Sequence, residues 1–302
     1  MKETITALPT EQNNPRTVDI DRVPTDEMMR LLHGETKRAV EAMSDALPAL
    51  AALADEAAKR LSCGGRMFYA GAGTSGRIGV LDASELPATY GVEPSLVTAL
   101  IPEGYDTVYD ARLGDEDNEA FAVEDLKAQG LCAKDIVVGI AASGRTPYTR
   151  AALRFAASCG AFAAAIVNVP ASQLAKEAHL TVVIPTGAEP IQGSTRMNAG
   201  TTQKLALNML STAVMIRLGK VYQNRMVEIT AINDKLEERG VQMLRELTGA
   251  SENACREALT AADGHVKTAT AMLLLSCDAD EARRRLAACG GRLTALLKEE
   301  TL

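Results

Sequence analysis

The chain has 302 residues, 47% of them hydrophobic, and carries 39 Asp and Glu against 32 Lys and Arg, a formal charge of −7 with histidine neutral. That length and apolar content suffice for a full hydrophobic core, which excludes a wholly disordered chain. The acidic balance excludes a broad electrostatic footprint for nucleic acid or an anionic membrane, so any bound anion must be gripped locally.

Residues up to about Arg22 read as a polar, irregular arm without the apolar run of a secretory signal, and no apolar stretch reaches membrane-spanning length; a cytoplasmic location is expected. Helical periodicity starts at Thr25, with Thr25 and Asp26 as caps before Met28, Leu31 and Leu32. A long amphipathic segment then runs from Glu35 to Leu61 until Gly64 and Gly65 stop it. From there short apolar runs alternate with helical stretches. The spacing predicts strands at 66–72, 95–101, 135–142, 161–169 and 180–186, helices after Thr74, at 119–129, after Thr146 and at 172–177, and a long helix from Thr195 to Leu218. This alternation predicts an α/β fold with a doubly wound parallel sheet. Beyond Val227 strand signals stop, and short segments bounded by Gly, Ser or Asp predict a small all-helical subdomain. The expected division is an arm over 1–24, an α/β domain over 25–228 and the helical part over 229–302. Six scattered cysteines, at 63, 132, 159, 255, 277 and 289, show no C-x-x-C or metal-ligand spacing, so reduced thiols and no metal are expected.

Three glycine- and hydroxyl-rich loops follow predicted strands: GAGTSGR at 71–77, AASGRTP at 141–147 and GAEPIQGSTR at 187–196. Ligands of open parallel sheets gather at the carboxyl ends of the strands, so these loops converge on one site. Glycine admits an anion close to the main chain, helix N-termini aim unpaired N–H groups at it, and hydroxyls add donors. Gly73, Thr74 and Ser75, then Ser143, Gly144 and Thr146, then Ser194 and Thr195, are the candidate phosphate ligands. Gly71, Gly73 and Gly76 also spell G-x-G-x-x-G, but the acid that a dinucleotide ribose needs is only Glu103, late and beyond Pro102. The hydroxyls in the gaps favour a terminal phosphate. One such loop alone would as readily be a helix cap.

Carboxylates follow. Asp82 and Glu85 lie three apart after the first loop, able to share a helix face that Pro87 is expected to end, and GDED at 114–117 precedes the next helix, where acids also suit a helix entry. Arg196, Gly200 and Lys204 recur at four-residue spacing along the start of the long helix, either facing the site or snorkelling beside it. Glu189 is a further acid without an assigned role. His33, His179 and His265 are isolated and read as structural, although His33 could reach a neighbouring subunit's site.

GAGTSGR followed by a Ser-Gly-x-Thr loop resembles the sugar isomerase domain family, which binds phosphosugars. GAGTSGRIGVLDASELPATYG, VVGIAASGRTPY and GSTRMNAGTTQKLALNMLSTAVMIRLGKVYQNRMV, with IDRVPTDEM near the start, are similar to a bacterial branch that cleaves the lactyl ether of N-acetylmuramic acid 6-phosphate. The likeness covers nearly the whole chain and is weaker at 104–113. It implies a cofactor-independent lyase, a homodimer, and a C-terminal part similar to that branch's ubiquitin-associated-like domain. Carried over by motif, Glu85 of DASE is the acid/base glutamate and Glu116 of Gly-x-Glu-Asp the second essential one. Burial beside Leu81 and Leu86 is expected to raise the pKa of Glu85. Arg196 and Lys204 would bind the lactyl carboxylate or stabilise an enediolate. A phosphosugar aldose–ketose isomerase or a non-catalytic phosphosugar-sensing regulator would use the same loops.

Overall fold

A computed structural model describes residues 7–110, 115–229 and 234–299. Contacts divide the chain into two compact units, one comprising residues up to Ser84 with Pro94–Ser211, the other Glu85–Glu93 with Thr212–Leu302.

The first unit holds α1 (Thr25–Glu41), α2 (Leu47–Ser62), β1 (Met67–Gly71), most of α3 (Gly73–Tyr90), β2 (Val97–Leu100), the short α4 (Asp106–Tyr109), α5 (Glu119–Ala128), β3 (Ile136–Ala141), α6 (Pro147–Ser158), β4 (Phe162–Val167), β5 (Leu180–Val183) and most of α7 (Asn198–Arg217). The five strands form one parallel sheet in the order β2-β1-β3-β4-β5. β1 and β3 are buried at every position, as expected of strands covered on both faces, which is why they read as unbroken apolar runs. On one face, Phe68, Val137 and Val167 pack with Tyr148, Leu153 and Ala156 of α6 and Leu126 of α5. The chain leaves β1 for β2 on one side and returns to β3 on the other, so the order reverses between β1 and β3. That is the position where a crevice opens beyond the strand ends.

The expected doubly wound parallel sheet is therefore present, with three local corrections. The segment expected as one helix from Glu35 to Leu61 is broken: α1 ends at Glu41, a 3-10 turn spans Ser44–Ala46, and α2 restarts with Pro48 in its first turn. Proline lacks an N–H and its ring clashes with the carbonyl four residues back, so it suits a helix start and not a helix middle. Pro87 does not end α3, which continues to Tyr90. Leu86 and Tyr90 are buried and hold the last turn, and Gly91, at φ +59°, terminates it. The long helix starts at Asn198, so Arg196 lies in the turn before it.

In the second unit a hairpin of β6 (Val221–Tyr222) and β7 (Arg225–Met226), not foreseen from the sequence, leads into α8 (Asp234–Thr248), α9 (Glu252–Ala261), α10 (Val266–Leu275), α11 (Ala279–Ala288) and α12 (Leu293–Glu299). The side chains of Ser251 and Asp278 cap α9 and α11. Val227, Leu244, Leu259, Val266 and Leu286 lie in one core, beside which the buried Lys267 ammonium donates to Glu228 and to the Gly219 carbonyl. No described helix is long and apolar enough to cross a membrane, and among the described residues no disulfide joins the cysteines.

Candidate active site

The loop after β1 is built by close packing. An ideal Cβ on Gly76 would lie 2.5 Å from the Gly71 carbonyl oxygen, so the start of α3 approaches the end of β1 more closely than any side chain allows. Gly73 has φ +55°, and Thr74 is partly exposed at the first turn of α3. Ser75 is buried and its hydroxyl donates to Gln203 Oε1 at 2.8 Å. Gln203 in turn donates to Asn168 Oδ1, and Asn168 donates to Thr202 Oγ1 and to the Ile184 carbonyl. This buried chain joins the loop after β1, the ends of β4 and β5, and α7. Its commitment of the Ser75 hydrogen leaves Thr74 and the first amides of α3 as that loop's outward donors. Arg77 turns aside: its guanidinium donates to the carbonyls of Thr107 and Val108 and holds α4.

In the loop after β3, Gly144 has φ +67°, and a Cβ there would fall 2.4 Å from Ser172 Oγ. The Gly144 carbonyl accepts from Leu174 N. Ser143 Oγ accepts from Arg145 N at 3.4 Å, and Thr146 occupies the N-cap of α6 without using its side chain as a cap. Glu116 belongs beside this loop, because its carbonyl accepts from the Tyr148 amide in the first turn of α6. The residue is exposed, yet its carboxyl is raised from its ordinary value, first by lost solvation and then by the Asp117 charge. Gly114 of the GDED string lies outside the described residues.

The third loop reaches the first through α7. A Cβ on Gly200 would stand 3.2 Å from Thr74 Cγ2, so glycine permits the close approach of α7 to the start of α3. Ser194 and Thr195 sit partly exposed in the preceding turn, and Arg196 and Lys204 are exposed. Glu189 is fully buried: its two oxygens accept from the amides of Asn198 and Ala199, capping α7. Burial raises its carboxyl and the two amides oppose that rise.

The two acids of α3 part company. Asp82 is buried, accepts from Tyr69, Asn208 and Ser211, and is raised by burial against those donors and the Lys204 charge. Glu85 is exposed, and so is Leu81, so the expected burial between Leu81 and Leu86 does not occur in the single chain; only Leu86 faces inward. Glu85 follows Thr74 by eleven residues, three helical turns and about 17 Å along α3, on nearly the same face. His179 accepts the Ala163 amide and stacks on Phe162, a role in the fold; His33 is exposed on α1, and His265 occupies the N-cap of α10. Among the described residues no group of three or more His, Cys, Asp or Glu is placed to hold a metal ion.

The structure of a phosphoheptose isomerase from Francisella tularensis superimposes with a TM-score of 0.51 at 18% identity, covering 64% of this chain and 98% of that one, which shows a shared fold. The SIS domain model matches residues 126–213, and that of the glucokinase regulatory protein N-terminal SIS domain matches 49–157. The class is thus a protein built on the SIS, or sugar isomerase, domain. Proteins called N-acetylmuramic acid 6-phosphate etherase are far more similar: that of Clostridium beijerinckii is 44% identical over 97% of this chain and 96% of its own, and that of Pectobacterium atrosepticum 47% over 96% of each. The chain belongs to the N-acetylmuramic acid 6-phosphate etherase family.

Proposed function

We propose that the protein cleaves the D-lactyl ether of N-acetylmuramic acid 6-phosphate in the recycling of cell-wall amino sugar, giving N-acetylglucosamine 6-phosphate and D-lactate. The observation that carries this reading is the 44–47% identity to etherases over nearly the full length of both chains. The loops support it: Gly73 and Thr74, Ser143, Gly144 and Thr146, and Ser194 and Thr195 suit a terminal phosphate held by amides and hydroxyls without a basic cluster. Ser75 contributes through its amide.

The ether lies β to the aldehyde of the opened sugar. A base removes the C2 proton, the C3–O bond breaks, lactate leaves with a proton from an acid, and water adds across the new double bond. No electron acceptor enters that balance, so no redox cofactor is needed. Glu85 is the proton donor to lactate. Glu116, whose raised carboxyl makes it a stronger base than a free glutamate, is its partner. Arg196 and Lys204 are cations for the lactyl carboxylate or the enediolate.

The working form is a cytoplasmic homodimer. Its functional parts are the arm (1–24), the sugar isomerase domain (25–228) and the ubiquitin-associated-like part (229–302). A donor about 17 Å along α3 from Thr74 is too distant for a sugar ring whose phosphate rests on that same loop. Glu85, exposed in the single chain, therefore serves the site of the second copy.

Release of D-lactate from N-acetylmuramic acid 6-phosphate, lost in Glu85→Gln and in Glu116→Gln, is the expected result. Mixing the two inactive variants under exchange makes half the dimers mixed, each with one complete site of two, so about a quarter of wild-type activity returns. No recovery would return Glu85 to its own chain's site. Phosphosugar binding by the wild type without lactate release would favour the isomerase or the sensor.

A further inference from the structure

Glu189 is fully buried, and its two oxygens accept hydrogen bonds from main-chain amides of α7. The segment that carries it is held from outside by the N-terminal arm. Asn14 Nδ2 donates to the Ala188 carbonyl at 3.3 Å, Thr17 Oγ1 donates to the Pro190 carbonyl at 2.7 Å, and Gln192 Nε2 donates to the Glu11 carbonyl at 2.9 Å. Both Asn14 and Thr17 are buried. The arm is itself anchored on α1: Glu35, buried, accepts from Asn14 Nδ2 at 2.7 Å and from Arg16 at 2.6 and 2.9 Å, and pairs with Arg38. Asn14 Oδ1 accepts the Arg16 amide, which fixes the orientation of its side chain.

Hydrogen bonds thus run from α1 through the arm to the carbonyls of Ala188 and Pro190, which flank Glu189, and from the Glu189 carboxyl to the first amides of α7, next to the turn that presents Ser194, Thr195 and Arg196. The linking side chains, Glu35, Asn14, Thr17 and Glu189, are all buried, so a displacement at one end has little slack in which to dissipate. Tethering loop ends also lowers the entropy that a ligand would otherwise have to remove.

We propose that Asn14, Thr17 and Glu189 are positioning residues, the arm holding residues 188–190 so that Glu189 sets the third phosphosugar loop in its binding geometry. The inference rests on the reading that this loop contacts the phosphosugar.

Thr17→Val keeps the shape and removes only the hydroxyl that holds Pro190, and Thr17→Ser restores that hydroxyl. In the full-length protein, two quantities are measured: hydrogen exchange over residues 187–200, and the Kd for N-acetylglucosamine 6-phosphate by calorimetry. One lost neutral hydrogen bond corresponds to about three- to tenfold, so Thr17→Val is expected to exchange faster and bind more weakly by that factor, and Thr17→Ser to match the wild type. Unchanged exchange in Thr17→Val would show that the arm does not hold the loop. Faster exchange with an unchanged Kd would show that the hold has no bearing on the site. Either result overturns the proposal while the wild type still binds. A wild type that binds no phosphosugar removes the functional reading, and this role falls with it.

Discussion

Three of the buried carboxylates in the first unit show how surroundings decide what an acid does. Glu189 has only amide donors and is raised by burial, Asp82 is satisfied by Tyr69, Asn208 and Ser211, and Glu35 is held down to about 2, first by its hydrogen bond from Arg16 and further by Arg38 and Asn14. The sign for Glu35 follows from its lowered folded value. Its contribution to stability is complete above its ordinary pKa of 4.5 and is lost as pH falls from there toward 2. The gap in Tm between the wild type and Glu35→Gln should be widest above pH 5 and should close on acidification; a gap that stayed constant to pH 2 would refute the assignment. These roles were hidden in the sequence, because a lone Asn14 in a polar arm or Gln203 in a helix has the composition of a solvated surface. Asn168 left the one trace, a polar residue closing the apolar run of β4. Glu85 and Glu116 stood out only through the strings DASE and GDED, and the exposure of Glu85 could not follow from the apolar residues beside it in sequence.

Elements were more legible than residues, for a physical reason. Strands covered on both faces must be apolar throughout, so each was visible to within a few residues of its ends, whereas helix breaks depend on single residues such as Pro48, whose effect competes with the packing around it. Pro87 lost that competition to the burial of Leu86 and Tyr90. The loops obey a similar logic, since their glycines are required by proximity. Gly144→Ala would meet both a left-handed backbone and the Ser172 side chain, and a cost of about 2 kcal/mol or more is expected from such strain. Urea unfolding measures it. A variant as stable as the wild type would mean that Ser172 yields without cost.

For the whole molecule, the proposed functional division at residue 228 falls inside a packed core. Val227 and Ile229 share one cluster with α8 to α12, and Lys267 reaches back to Glu228 and Gly219. A chain ending at 228 would uncover Val227 and leave Glu228 without the Lys267 ammonium. It should therefore aggregate, or melt below the full-length protein, in scattering-monitored thermal unfolding; equal solubility and an equal Tm would show that the helical part is an independent attachment.

The clasp between the arm and residues 188–190 has a consequence in time. Asn14 and Ala188 are 174 residues apart in sequence, and Thr17 and Pro190 are 173 apart. On a ribosome elongating at about 5–20 residues per second, the arm emerges roughly 10–35 s before its partner exists. Contacts of such separation also carry a large loop-closure cost. Residues made early are then among the last to dock, and the nascent sheet forms while the 188–190 segment is still unlatched.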